Sequence, residues 1–209
     1  MSNKAYPIPK KSVRTEDIIK KSRFICDVSH VADKKEAKDF IASVKKEFPD
    51  ARHHCSAFIA GPPQTGDMGM SDDGEPQGTA GKPMLQVLQG SGIGDIAVVV
   101  TRYFGGILLG TGGLVRAYSG AVQQGIEALE VVMKVPMRKV TLEVSYAQEG
   151  MLRRMLSEYS AEIEEQSFGS AIMFTLIMPS DQVENFEKRI VEDTNGTAEI
   201  MVDDEDVWR

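Results

Sequence analysis

Ile96-Ala97-Val98-Val99-Val100-Thr101-Arg102-Tyr103-Phe104-Gly105-Gly106-Ile107-Leu108-Leu109-Gly110-Thr111-Gly112-Gly113-Leu114 decides how the chain is read. Its first part is an unbroken apolar run, as a strand buried on both faces requires. Its second part spends five glycines before an apolar stripe begins at Leu114 and continues through Tyr118, Val122, Ile126 and Leu129, the spacing of a helix. A strand that empties through glycines into a helix leaves backbone N–H groups exposed at the helix start, where an anion can meet them. Ala117, Ala121 and Gly125 lie four apart beside that stripe and predict close approach of the helix to a sheet.

Upstream, Phe24, Cys26 and Val28 alternate as a half-buried strand. Asp33 and Glu36 form a capping box for a helix carrying Ala37, Phe40, Ile41 and Val44, which Pro49 stops. That helix bears Lys34, Lys35, Lys38, Lys45 and Lys46 outward. His54 to Ala60 reads as a short strand, and Gly61 to Gly78 as a long unstructured loop of the kind that is functional or mobile. Pro83 opens a helix that ends at Gly90-Ser91-Gly92, while the lysines and arginines before Ser22 read as solvated.

Beyond Val135-Pro136 the order changes. Val140, Leu142 and Val144 make a strand, Met151 to Tyr159 a helix, Ala161–Phe168 and Ile172–Met178 a hairpin across Gly169. Ser180 caps a helix through Ile190, and Ala198, Ile200 and Val202 close the set as a strand after the Asn195-Gly196 turn. This βαββαβ order is the ferredoxin-like signature, with Asp203 to Asp206 and Trp208 as a frayed end. The reading is thus α+β with two domains, 1–135 and 136–209.

The 209 residues are 42% apolar, enough for real cores. No apolar run reaches the roughly 20 residues that span a bilayer, and the polar start Met1 to Lys11 is unlike a secretion signal, so a cytoplasmic protein without membrane contact is expected. Two cysteines, Cys26 and Cys55, sit in apolar strands and are expected as buried thiols. The first domain carries 17 Lys plus Arg against 15 Asp plus Glu, the second 7 against 16, so any contact with a phosphate backbone belongs to the first.

Asp72, Asp73 and Glu75 can be read as hard oxygen ligands for Mg²⁺, or as an ordinary turn with Gly74 at positive φ. Arg102 at the strand end and Arg116 in the first helical turn can be read as guanidinium groups beside an anion site, or as partners of those carboxylates. Gly105, Gly106, Gly110, Gly112 and Gly113 match neither the P-loop nor the dinucleotide spacing. His54 and Cys55 point to opposite faces of a strand and make neither a zinc pair nor a nucleophile with its base. The second domain shows no catalytic cluster.

Asp72-Asp73-Gly74-Glu75-Pro76-x-Gly78-Thr79-Ala80-Gly81-x-Pro83, Val99 to Gly106 and Leu109-Gly110-x-Gly112-Gly113-Leu114-x-Arg116-Ala117-Tyr118 closely resemble the IMPACT family, as do Lys21-Ser22-Arg23-Phe24 and His54-Cys55-x-Ala57. The resemblance implies a first domain similar to the ribosomal-protein/GHMP-kinase type of α+β sandwich and a ferredoxin-like second domain similar to one in translation elongation factor G. It also implies regulation, since eukaryotic relatives act on translation by binding a ribosome-associated activator of a stress kinase. Where the family commonly has a lysine, this chain has Leu108.

The expectation is a non-catalytic, translation-linked factor that binds RNA, the ribosome or a ribosome-associated protein. The alternative is a Mg-dependent enzyme or binder of a small phosphorylated ligand. The candidate ligand-binding residues are Arg102, Tyr103, Gly105, Gly106, Gly110, Gly112, Gly113, Arg116, Lys82 and His54, with Asp72, Asp73 and Glu75 for metal.

Overall fold

The structure is a computed structural model describing residues 4–209; the first three residues of the polar start lie outside the described residues. It forms two compact units, one over Tyr6–Met133 and one built from Lys134–Arg209 with residues 4–5.

The first unit is built on a five-stranded antiparallel sheet. Its order is β2 (Val13–Ile19), β3 (Ser22–His30), β6 (Ile96–Tyr103), β4 (His53–Ala60), β5 (Asp67–Ser71). The apolar run of β6 is central, which is why it needs no polar face. On one side lie α2 (Gly81–Ser91) and α3 (Thr111–Glu127), whose Met84, Leu88, Leu114, Tyr118 and Val122 pack on Cys26, Val28, Ala57, Val98 and Val100. On the other lies α1 (Lys34–Glu47), whose Ala37, Phe40 and Ile41 meet Phe58 and Ala97. Each such fully buried Val, Leu or Ile contributes roughly 1.5–3 kcal/mol. A small second sheet pairs β1 (Tyr6–Pro9) with β7 (Val131–Lys134).

The expected capping signals at the start of α1 hold. Asp33 accepts from the Glu36 amide at 2.8 Å, and Glu36 reaches back to the Ala32 amide at 2.7 Å. A Cβ on Gly125 would lie 2.8 Å from Val28 Cγ2 and 3.1 Å from Cys26 Sγ, so α3 needs this glycine to lie on β3.

Three expectations are corrected. The lysine-rich start contains two strands, because β2 is an edge strand whose outward Arg14, Glu16 and Ile18 mask the alternation. The loop Gly61 to Gly78 contains β5, an edge strand whose Met68 and Met70 pair with Ile59 and Ala57 although the segment buries little. The acidic tail is not frayed. It is ordered in β11, where Asp206 takes Arg138 Nε at 2.8 Å and the Ser180 hydroxyl at 2.6 Å, so Ser180 serves Asp206.

The second unit follows the βαββαβ order: β8 (Pro136–Val144), α4 (Glu149–Glu158), β9 (Glu162–Phe168), β10 (Ile172–Pro179), α5 (Val183–Asp193) and β11 (Glu199–Trp208). The antiparallel sheet runs β11-β8-β10-β9, the order of a ferredoxin-like domain. Leu142, Leu152, Phe174, Phe186 and Ile190 form its core. Among the described residues, no helix is long and apolar enough to cross a membrane.

Candidate functional site

The alternation of β6 puts Arg102 on the same sheet face as Val98 and Val100, beneath the start of α3. A guanidinium there needs a partner, because a lone buried charge is costly. Glu75 supplies it: Arg102 Nη1 donates to Glu75 Oε1 at 2.6 Å, and the two side chains are only 7% and 3% exposed. The same oxygen takes the Tyr118 hydroxyl at 2.8 Å, and Arg102 Nη2 reaches the Ser22 hydroxyl at 3.5 Å. Arg102 Nε is buried without a partner among the described residues. Burial, then the neighbouring Cys55 and Glu75, push the Tyr118 hydroxyl far above its ordinary range. Burial pushes the Cys55 thiol up to about 12, so it is no nucleophile at neutral pH.

The acidic turn disperses its charges. Asp72 accepts from the amides of Gly78 (2.7 Å), Ala80 (3.0 Å) and Gly81 (2.8 Å), closing the start of α2 from a distance. Burial opposes ionisation of Asp72, but these three amides outweigh it and hold the carboxyl below the usual range. Asp73 takes Lys45 Nζ and the His54 amide, both at 2.7 Å. Burial opposes its ionisation too, and these donors win. Glu75 turns inward to Arg102. With Asp73 at φ 42° and Gly74 at φ 86°, the chain bends between the three side chains and they diverge. Among the described residues no three His, Cys, Asp or Glu form a group that could hold one ion, so the structure does not bring Asp72, Asp73 and Glu75 together.

The glycine loop borders two depressions that share Leu109. One is a cavity of about 360 Å³ between the Glu75–Arg102 pair and the start of α3, walled by Phe104, Leu108 and Leu114 with Arg52 and His53 at its side. The other is smaller, about 170 Å³, and is formed by Lys20, Gly113 and Arg116. Gly110 is the residue at the N-terminal boundary of α3, and no side chain hydrogen-bonds the free amides of the helix start. Because α3 already begins at Thr111, Arg116 lies in its second turn, roughly 200° around the axis from Leu114. Arg116 therefore faces the β2–β3 turn and not Arg102, and makes no ion pair among the described residues. Leu108 and Phe104 stand exposed at 81% and 50%, with Ile107 between them in sequence.

The remaining candidates separate. Gly105 packs on the β2–β3 turn, where a Cβ would come within 2.0 Å of the Lys21 carbonyl, and its amide donates to the Ser22 hydroxyl at 3.2 Å. Gly106 is exposed, and Gly112 sits in the first turn of α3 with open space around it. The Tyr103 hydroxyl donates to Asp50 at 2.8 Å, and the Arg23 guanidinium lies over its ring at 5.7 Å. Lys82 is exposed on α2, away from both depressions. His54 is buried with Nε2 3.0 Å from the Phe48 carbonyl, and so belongs to the fold. The sequence reading missed Phe104, Arg52, His53 and Thr111 as cavity residues. Only an aromatic side chain beside a glycine pair could have signalled Phe104.

The fold and this loop define a two-domain α+β protein of one particular class. Residues 20–126 match the model of the Impact N-terminal domain, and residues 142–197 match the model described as "Domain of unknown function (DUF1949)". The chain belongs to the IMPACT family. It is 44% identical over 198 residues to an IMPACT family member of Haemophilus influenzae, covering 94% of this chain and 96% of that one. It is 42% identical over 199 residues to IMPACT family member YigZ of Escherichia coli K12, covering 95% and 98%. IMPACT family member YvyE of Bacillus subtilis is 38% identical over 196 residues, covering 94% and 90%. A solved structure titled "Crystal structure of an hypothetical protein" aligns with TM-score 0.67 at 41% identity, covering 96% of this chain and 98% of that one.

Proposed function

We propose that the chain is a non-catalytic, translation-linked factor whose first unit binds single-stranded RNA, as it would be met on a ribosome. One observation carries this reading. The uncapped start of α3 lies between cationic groups on both sides, Arg52 at one depression and Lys20 and Arg116 at the other, with exposed Phe104, Ile107 and Leu108 on the loop between. Cations and amides suit phosphates, and an exposed aromatic ring suits unstacked bases. The carboxylates near this surface are engaged: Glu75 by Arg102, Asp73 by Lys45, Glu16 by Arg23.

The test is fluorescence anisotropy of labelled single-stranded RNA, with sedimentation on ribosomes, across a salt series. Phosphate contacts make log affinity fall with log salt by about 0.7 per contact on single strands. Two to four contacts give a total slope of about −1.4 to −2.8. Affinity that is absent, or flat in salt, removes the proposal.

A further inference from the structure

The cavity beneath Phe104 has a floor that RNA contact along the surface does not use. Glu75 is nine-tenths buried and lines the cavity. Its Oε1 takes both Arg102 and Tyr118, while its Oε2 takes no hydrogen bond from any described residue. A carboxylate only accepts, and Glu75 Oε2, unlike Arg102 Nε, is not sealed from solvent, so it can take an N–H or O–H donor from the cavity. The walls are apolar: Leu114 is buried and Leu109 half-buried, while Pro76, Phe104 and Leu108 are exposed at the rim. At the other end the cavity opens on Gly110 and Thr111, the uncapped start of a 17-residue helix, with Arg52 beside it. An anion is favoured there by the amides and by the helix dipole.

We propose that this cavity takes one nucleotide unit, its base between Phe104 and the leucines with an amino group donating to Glu75 Oε2, and its phosphate toward the start of α3. The volume of about 360 Å³ lies in the range of small-ligand sites. Phe104, half exposed at the mouth, has the Arg102 guanidinium over one face at 5.6 Å and offers the other for stacking. The acceptor on the floor sets the base preference. Adenine, cytosine and guanine each present an exocyclic amino group, and a carboxylate accepts from it as Glu and Asp do from cytosine N4. Uracil offers only N3–H, flanked by two carbonyl oxygens that the carboxylate repels. The site therefore favours amino-bearing bases over uracil.

The nucleotide chemistry has two sources, a free nucleotide or one unit of a strand. The second rests on the RNA reading above. Isothermal titration of the full chain with the monophosphates of cytidine, adenosine, guanosine and uridine addresses the first, and anisotropy with homopolymeric octamers of the same four bases addresses the second. The expected result is about tenfold weaker binding of the uridine form in at least one series. Leu108→Glu, which places a carboxylate at the exposed mouth and disturbs no core, should weaken the favoured form by about tenfold. Glu75→Gln should flatten the base preference, but it also breaks the ion pair, so Leu108→Glu is the deciding variant. Octamers that bind with salt dependence while neither series shows a base preference overturn the cavity site and leave the RNA reading standing. Monophosphates that bind with the preference while octamers do not establish the site and remove the RNA reading. Equal affinity for all four bases, indifference to Leu108→Glu, or no binding in either series overturns the proposal.

Discussion

Glu75 and Arg102, 27 residues apart in sequence, form a buried ion pair in which one carboxylate oxygen serves both the guanidinium at 2.6 Å and the Tyr118 hydroxyl at 2.8 Å. The acidic turn, the end of β6 and the third turn of α3 are thereby tied at one point, directly under the candidate cavity. Removing one member leaves the other buried and unpaired, which costs about 3–5 kcal/mol, whereas removing both costs much less. Arg102→Met should therefore destabilise the chain by that amount in urea unfolding, and the double variant Glu75→Leu with Arg102→Met should recover part of the loss. Strictly additive losses would mean that the two groups are not energetically coupled.

Asp72 holds the start of α2 through three amides, and α2 has no other side-chain cap. Asp72→Ala should cost about 1–2 kcal/mol at neutral pH, as loss of a helix cap does. The folded-state carboxyl is held below its ordinary value, so its contribution is present above the unfolded pKa, near 3.9, and is lost as pH falls through the lower folded value. Unfolding curves of the two proteins should therefore converge below about pH 4. A gap that stays constant into acid would separate the stabilisation from the charge.

Two glycines on either side of the α3 start make opposite predictions. Gly105 touches the backbone of Lys21, where a methyl group would overlap atoms that cannot rotate away, so Gly105→Ala should destabilise by about 1–3 kcal/mol. Gly112 has open space and lies in the first turn of α3, so Gly112→Ala should stabilise by about 0.5–1 kcal/mol. Thermal unfolding of both variants checks this, and a shift of the same sign for both would contradict the packing described.

Periodicity made the cores legible. The unbroken apolar run of β6 marked the central strand, and the Leu114, Tyr118, Val122 stripe marked the face of α3. The edges were illegible for a physical reason: β2 and β5 each have one side of their backbone unpaired and little to bury, so Glu16, Asp17 and Gly69 do not break them. In the site, local chemistry predicted the uncapped helix start and left open whether Arg102 paired with an acid or with a ligand. The choice of Glu75 over Asp72 and Asp73 follows from the bend at Gly74, and the side on which Arg116 falls depends on α3 starting at Thr111. Neither is a property of any short window of sequence.

The cationic groups now have separate addresses, and salt can tell them apart. Lys20 and Arg116 border the smaller depression beside the glycine loop, whereas Lys34, Lys38 and Lys46 stand on α1, on the opposite face of the sheet, with no ion pair among the described residues. If RNA follows the glycine loop, Lys20→Ala and Arg116→Ala should each make the slope of log affinity against log salt shallower by about 0.7, and a triple alanine variant of the α1 lysines should leave it unchanged. The long-range field of the α1 lysines is screened within about 10 Å at 0.1 M salt, so the slope reports contacts and not net charge. A slope that responds to the α1 variant and not to Lys20 or Arg116 would move the RNA to the other face of the sheet and detach the cavity at Glu75 from it.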